Sequence, residues 1–243
     1  LVHKLAFTGS TEVGKLLARG AAEHMKRISL ELGGHAPFIV FDDTDPIHAA
    51  KGAMLVKFLN TGQACISPNR IFVQRRIMDD FIEEARARVS KMRAGNGMED
   101  GVSIGPLVGP DAIQKVERQV ADALELGATL ISGGKRLTED MRIYREETFG
   151  PVAAIIPFDT EEEVLEMAND THYGLASYIY TRDIARAMRV FERLRFGIVG
   201  INDINPTAAA APFGGMKASG LGREGGREGI AEYLETKLGG FSI

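Results

Sequence analysis

The sequence predicts an α/β fold in which a mostly parallel sheet is covered by helices. Three observations carry that expectation. Short apolar runs of strand length alternate with longer segments whose apolar residues recur at helical spacing. Between them lie glycine, proline, asparagine and aspartate, the residues that turns require. The 243 residues are 44% apolar and 26% charged, the balance of a soluble globular protein with an ample core.

Lys4 to Thr8 reads as a strand, Gly9-Ser10-Thr11 as a turn, and Val13, Leu16, Leu17 and Ala21 as one face of a helix. Such a turn aims backbone N–H groups and the positive end of a helix at one point, where a phosphate can be held. A structural turn explains it about as well. Gly9 to Lys15 also resembles a P-loop, but the next residue there must be Ser or Thr to hold magnesium, and Leu16 cannot. Arg27 to Leu32 alternates as a strand and ends at Gly33-Gly34, with Glu31 in the ordinary place of an exposed edge carboxylate. Ile39 to Phe41 is another strand. Asp45-Pro46 has the form of an N-cap and first helical residue, and Ile47, Ala50, Met54, Leu55 and Phe58 trace the helix that follows.

Ile71 to Gln74 is a strand, and Met78 to Met92 a mixed-charge helix with a solvated face. After the Gly- and Pro-rich loop Gly101 to Pro110, a helix from Asp111 to Leu126 stops at Gly127, and Ala128 to Ser132 reads as a strand. Pro151 to Pro157 is extended. Thr160 and Glu163 form a capping box opening a helix to about Asn169. Strand Leu175 to Tyr180, helix Ile184 to Leu194 and strand Ile198 to Ile201 follow; a glycine-dense loop, Pro212 to Gly226, leads to a last helix near Arg227 to Leu234.

A net charge of -4 and a pI near 5.8 argue against nucleic-acid or polybasic membrane partners. No apolar run reaches membrane-spanning length, and the N-terminus lacks a signal-peptide layout. The five histidines are scattered without ligand spacing, so no metal is expected. One cysteine fits a reducing compartment, which suggests a cytoplasmic protein. The chain enters an apolar stretch within a few residues of Leu1, which points to a missing N-terminal portion.

That cysteine, Cys65, can form no internal disulfide and has no second cysteine at metal spacing. It is either a small buried hydrophobe or a nucleophile. Asn60, Thr61, Gly62 and Gln63 before it make poor core and good loop, which favours the nucleophile.

Five motifs stand in order along the chain: Phe7-Thr8-Gly9-Ser10-Thr11 with Gly14, Leu30-Glu31-Leu32-Gly33-Gly34, Asn60 to Cys65, Glu147-Thr148-Phe149-Gly150-Pro151, and Pro212-Phe213-Gly214-Gly215 with Lys217, Ser219 and Gly220. Together they make the chain resemble the C-terminal half of an NAD(P)-dependent aldehyde dehydrogenase. Leu221-Gly222-Arg223-Glu224-Gly225 and Lys237 to Phe241 look most like the succinate-semialdehyde dehydrogenase branch. That branch often has arginine where this chain has Leu59, and a second cysteine where it has Ser67. Family members are about twice as long and carry more residues between turns like Gly133-Gly134 and Met141-Arg142, so a segment missing near 135–140 is expected.

The resemblance implies the end of a Rossmann-like dinucleotide-binding domain (1–33), an α/β catalytic domain (34–220) and a C-terminal helix with an oligomerisation strand (221–243). It implies oxidation of a small aldehyde to its acid with NAD or NADP, in a homodimer or homotetramer. Cys65 is then the nucleophile and Glu31 the base. Gly9, Ser10, Gly14, Leu32, Gly33, Glu147 and Phe149 would contact the cofactor, and Leu59, Ile66, Asn202 and Phe213 the substrate. The alternatives are a relative that passes the acyl group to coenzyme A, which typically lacks this glutamate, and a non-catalytic structural relative.

Overall fold

The computed structural model describes residues 2–132 and 142–242. The chain forms two sheets. The first comprises β1 (Lys4–Thr8), β2 (Arg27–Glu31) and the short β8 (Gly220–Leu221), with β1 and β2 parallel and β8 antiparallel to β2. The second contains β3 (Ala36–Val40), β4 (Pro68–Gln74), β5 (Ile155–Phe158), β6 (Ala176–Tyr180) and β7 (Ile198–Ile201), in the order β5-β4-β3-β6-β7 and parallel throughout.

Both faces of the second sheet are covered, as a parallel sheet requires. The period of two along its strands sorts the residues. Phe38, Val40, Ile71, Val73, Tyr178 and Tyr180 share one core with α2 (Pro46–Lys57) and α3 (Met78–Val89). Ile39, Phe41, Phe72, Phe158 and Ile179 face the other way, onto α4 (Pro110–Glu125), α6 (Glu161–Asn169) and α7 (Ile184–Arg193). The remaining helices are α1 (Thr11–Ala22), the four-residue α5 (Arg142–Arg145) and α8 (Gly226–Ala231).

Most boundaries fall where the sequence puts them. Asp45 caps α2 through Ile47 N–H, and the Thr160–Glu163 capping box is complete. Four expectations fail. Ala128 to Ser132 forms no strand: Ala128 N–H returns to Ala123 C=O behind Gly127 (φ +90°), and the sheet order ends at β5. Helix α1 buries Thr11, Gly14 and Ala21 and leaves Val13 and Leu16 exposed, because Gly14 lets the helix press onto Leu32. In α2, Ile47 and Leu55 are exposed while Ala49, Ala53 and Val56 are buried, since small residues let the helix lie between the sheet and α3. Glu31 is 6% exposed, so it is no edge residue: β8 closes over β2 beside it.

Residues 235–242 carry no strand in the single chain, and Leu238 and Phe241 are fully exposed. The expected gap near 135–140 lies outside the described residues. Among the described residues no helix is long and apolar enough to cross a membrane.

Candidate active site

The C-terminal end of β2 in the small sheet meets the N-terminal ends of β3 and β4 in the large one. The four residues Glu31 to Gly34 join the two sheets, and four other motifs converge on them. Gly9 N–H donates to Glu31 C=O at 3.0 Å. Leu32 packs on Gly14, and its N–H donates to Ser219 C=O at 3.0 Å. Ser219 Oγ donates to Gly33 C=O at 2.7 Å. Gly34 N–H donates to Glu147 Oε1 at 3.0 Å. A Cβ on Gly33 would sit 2.6 Å from Glu147 Oε2, and one on Gly34 would run into Cys65 C=O. Only glycine allows these approaches.

Cys65 follows α2 on a loop that does not hold its shape by itself. Asn60 (φ 49°) and Thr61 (φ 60°) are both left-handed, a state that costs a β-branched residue on the order of 1–3 kcal/mol. Neighbours enforce it. Thr61 Oγ1 accepts from Gly105 N–H at 3.0 Å, and Gln63 Oε1 accepts from Val108 N–H at 2.8 Å. Gly62 (φ +75°) lies against Gly150 C=O, where a side chain would not fit. The Gly- and Pro-rich loop and the Glu147 motif therefore brace the cysteine loop from two sides.

Electrostatics single out the same residues. Burial pushes the Glu31 carboxyl up to about 7; Glu224 adds to the rise and Arg223 opposes it. Its Oε2 is buried without a hydrogen-bond partner. Burial likewise pushes the Cys65 thiol up to about 11, with Glu147 and then Glu31 adding to the rise, while the backbone N–H groups of Cys65 and Ile66 oppose it. Glu147 is raised by burial against the Gly34 hydrogen bond.

Of the substrate candidates, Ile66 and Phe213 border the same core cluster as Cys65, and Tyr178 Oη donates to Ile66 C=O at 3.0 Å. Leu59 is half exposed at the start of the loop. Asn202 is not brought to the others. It sits past the C-terminal end of β7, at the opposite edge of the parallel sheet, where its amide accepts from Thr181 N–H and donates to Thr181 C=O. The carboxamide is used to close a turn. Phe149 is held half-exposed at φ 50° beside Glu147. Ser10 caps α1 through Val13 N–H.

A family profile described as the aldehyde dehydrogenase family matches residues 1–238. The chain belongs to that family. Among similar aldehyde dehydrogenases, a 3-sulfolactaldehyde dehydrogenase of Pseudomonas putida is 52% identical, over 99% of this chain and 53% of its own length. A succinate-semialdehyde dehydrogenase [NADP(+)] of Escherichia coli strain K12 is 48% identical over 98% of this chain and 52% of its length. The crystal structure of an aldehyde dehydrogenase from Brucella melitensis biovar abortus 2308 superposes with a TM-score of 0.94 at 53% identity, covering 97% of this chain and 52% of that one. An NAD+ complex of an aldehyde dehydrogenase from Bacillus cereus gives 0.92 at 39%, covering 96% and 51%. The chain spans about half the length of the relatives it matches, and the P. putida match runs over 258 positions, more than this chain has.

Sequence reasoning missed Lys57, which is fully buried under the cysteine loop. The signal was present: Ala50, Met54 and Lys57 are spaced as one helical stripe, so a lysine falls on a buried face.

Proposed function

We propose that the protein carrying this chain oxidises a small aldehyde to its carboxylic acid with NAD or NADP, Cys65 acting as nucleophile and Glu31 as base. The observation that supports this best is the convergence of the only thiol, a buried carboxyl titrating near 7 and Glu147 on one glycine-containing turn.

At neutral pH the thiol is protonated. Passing its proton to Glu31 relocates one negative charge instead of adding a second to a buried site. The sulfur then adds to the carbonyl carbon and gives a tetrahedral thiohemiacetal, with the Cys65 backbone N–H as a candidate donor to its oxyanion. A bound nicotinamide dinucleotide supplies the acceptor for the hydride on that carbon. Glu31, once it has released the thiol's proton to solvent, takes a proton from the water that attacks the thioester; the C–S bond breaks, freeing the acid and returning the sulfur to Cys65. Its presence disfavours transfer to coenzyme A.

The residues fit the dinucleotide. The first turn of α1 has N–H groups without intrahelical partners at Thr11 and Glu12, directly after Gly9-Ser10, suited to a pyrophosphate. Gly14 and Gly33 permit close approach, with Leu32 behind them. Glu147 would accept from ribose hydroxyls, and Phe149 would flank the ring. For the substrate, Ile66, Phe213 and Leu59 offer an apolar wall, and small aldehydes bearing an acid group are the natural class because relatives are named for semialdehydes and for 3-sulfolactaldehyde. The division at residue 33/34 is part of the proposal, as is a cytoplasmic homodimer or homotetramer joined through the exposed tail.

Steady-state kinetics of the natural full-length protein over an aldehyde panel, with both cofactors, tests the reading. A Cys65→Ala variant should be inactive. Reduced cofactor forming at the wild-type rate in that variant would overturn it. Succinate semialdehyde turning over no better than uncharged aldehydes of similar length would remove the substrate assignment alone.

A further inference from the structure

We propose that Lys57 is a positioning residue for Cys65: its amine, sealed behind the cysteine loop, fixes both ends of that loop and ties it to the turn that bears Glu31. The proposal rests on Cys65 being the nucleophile. Lys57 is the last residue of α2, and Ser67 and Asn69 stand at the entry to β4. Lys57 Nζ donates to Ser67 Oγ at 3.2 Å and to Asn69 Oδ1 at 2.8 Å. Ser67 Oγ donates in turn to Lys57 C=O at 3.1 Å. Residues 57 and 67 thus grip each other twice and close the loop between them. Asn69 Nδ2 then donates to Gly34 C=O at 3.4 Å, and Gly34 is the residue whose Cα lies against Cys65 C=O.

Packing does not explain a lysine here. Its neighbours on the buried stripe are Ala50, Ala53 and Met54, and a methionine would fill the space without bringing an amine out of water. Lysine is almost never fully buried unless it is paired. The carboxylate acting on it is Glu147, the same one that receives Gly34 N–H. Burial lowers the amine to about 7, but an amine and an ammonium can both donate to Ser67 and Asn69, so the clamp holds on either side of neutrality.

What needs clamping is also visible. With Asn60 and Thr61 both left-handed, the loop's conformation is imposed from outside. Gly105 and Val108 impose it on one flank, and Lys57 holds the two ends on the other. A thiol on a loop free to relax by about an ångström loses on the order of a hundredfold in rate.

The test uses the natural full-length protein, with Lys57→Met and Ser67→Ala. Three quantities are measured well below each variant's Tm: kcat, KM for the dinucleotide, and the rate of Cys65 alkylation by iodoacetamide. Lys57→Met should lower kcat and alkylation 10- to 100-fold with the dinucleotide KM within twofold of wild type, and Ser67→Ala should lower them three- to tenfold. If Lys57→Met does not fold, Ser67→Ala decides alone, since it removes two of the bonds and strands no carboxylate. A lower Tm with kcat and alkylation within twofold of wild type would reduce Lys57 to a structural staple and overturn the proposal. Undiminished turnover in Cys65→Ala would overturn both this proposal and the nucleophile beneath it, an outcome the Lys57 variant cannot mimic.

Discussion

Replacing Glu31 by Gln removes both a base and a buried charge, and the two losses act in opposite directions. As base, Glu31 works only when deprotonated, so kcat should rise with pH through about 7. In Glu31→Gln the acyl-enzyme should form more slowly than in wild type and then persist, with turnover down roughly 10²–10⁴-fold. Mass spectrometry after a single mixing checks this: wild-type turnover without acyl-enzyme sinks the assignment. Stability runs the other way. A folded pKa of about 7 against 4.5 means the folded state holds the proton more tightly. The stability this lends is fully present below about pH 4.5 and is lost as pH rises through 7. The Gln variant should therefore melt above wild type at pH 8 and level with it at pH 4.5. Cys65 was legible as a candidate because a lone thiol behind a polar loop is unusual in itself, and Glu31 only through the family resemblance, since its own strand reads as an exposed edge whereas the structure buries it. Lys57 was not, because lysine at a helix end ordinarily faces water, and its partners at 67 and 69 meet it only once α2 has packed on β4.

Helices with a local signal, such as α2 behind Asp45-Pro46 and α6 behind Thr160, were legible from the sequence; elements that depend on a neighbour were not. Residues 128–132 have strand composition but nothing to pair with beyond β5. Thr160→Ala removes half of a complete capping box far from the cysteine and should cost about 1 kcal/mol without changing kcat, read by urea denaturation and an activity assay. Gly34→Ala sits at the other extreme. Its Cβ cannot coexist with Cys65 C=O, so the loop or the turn must shift, at roughly 1–3 kcal/mol. Iodoacetamide labelling of Cys65 and kcat should both change by at least tenfold; an unchanged pair would mean the close approach is not held in solution.

At the scale of the molecule, parallel architecture follows from the alternation of elements, whereas the split into two sheets does not. What divides the chain is the glycine-containing turn 31–34 and the late return of β8 to β2, a pairing between residues near opposite ends. Beyond it, Ile230, Tyr233, Leu234, Leu238 and Phe241 stand exposed, more apolar surface than a free tail needs. Ending the chain after Glu235 should yield monomer or aggregate by light scattering; an oligomer of unchanged mass would place the subunit contact elsewhere.

The pairing of β8 with β2 also sets a timetable. Glu31 and Cys65 are made well before Gly214, Ser219 and Gly220, which close over Glu31 and pin Leu32 and Gly33. At roughly 5–20 residues per second, on the order of ten seconds separate the synthesis of Cys65 from that of the strand that covers Glu31. Through that interval Glu31 lies open to water, so the rise that burial gives its carboxyl waits until β8 has paired with β2.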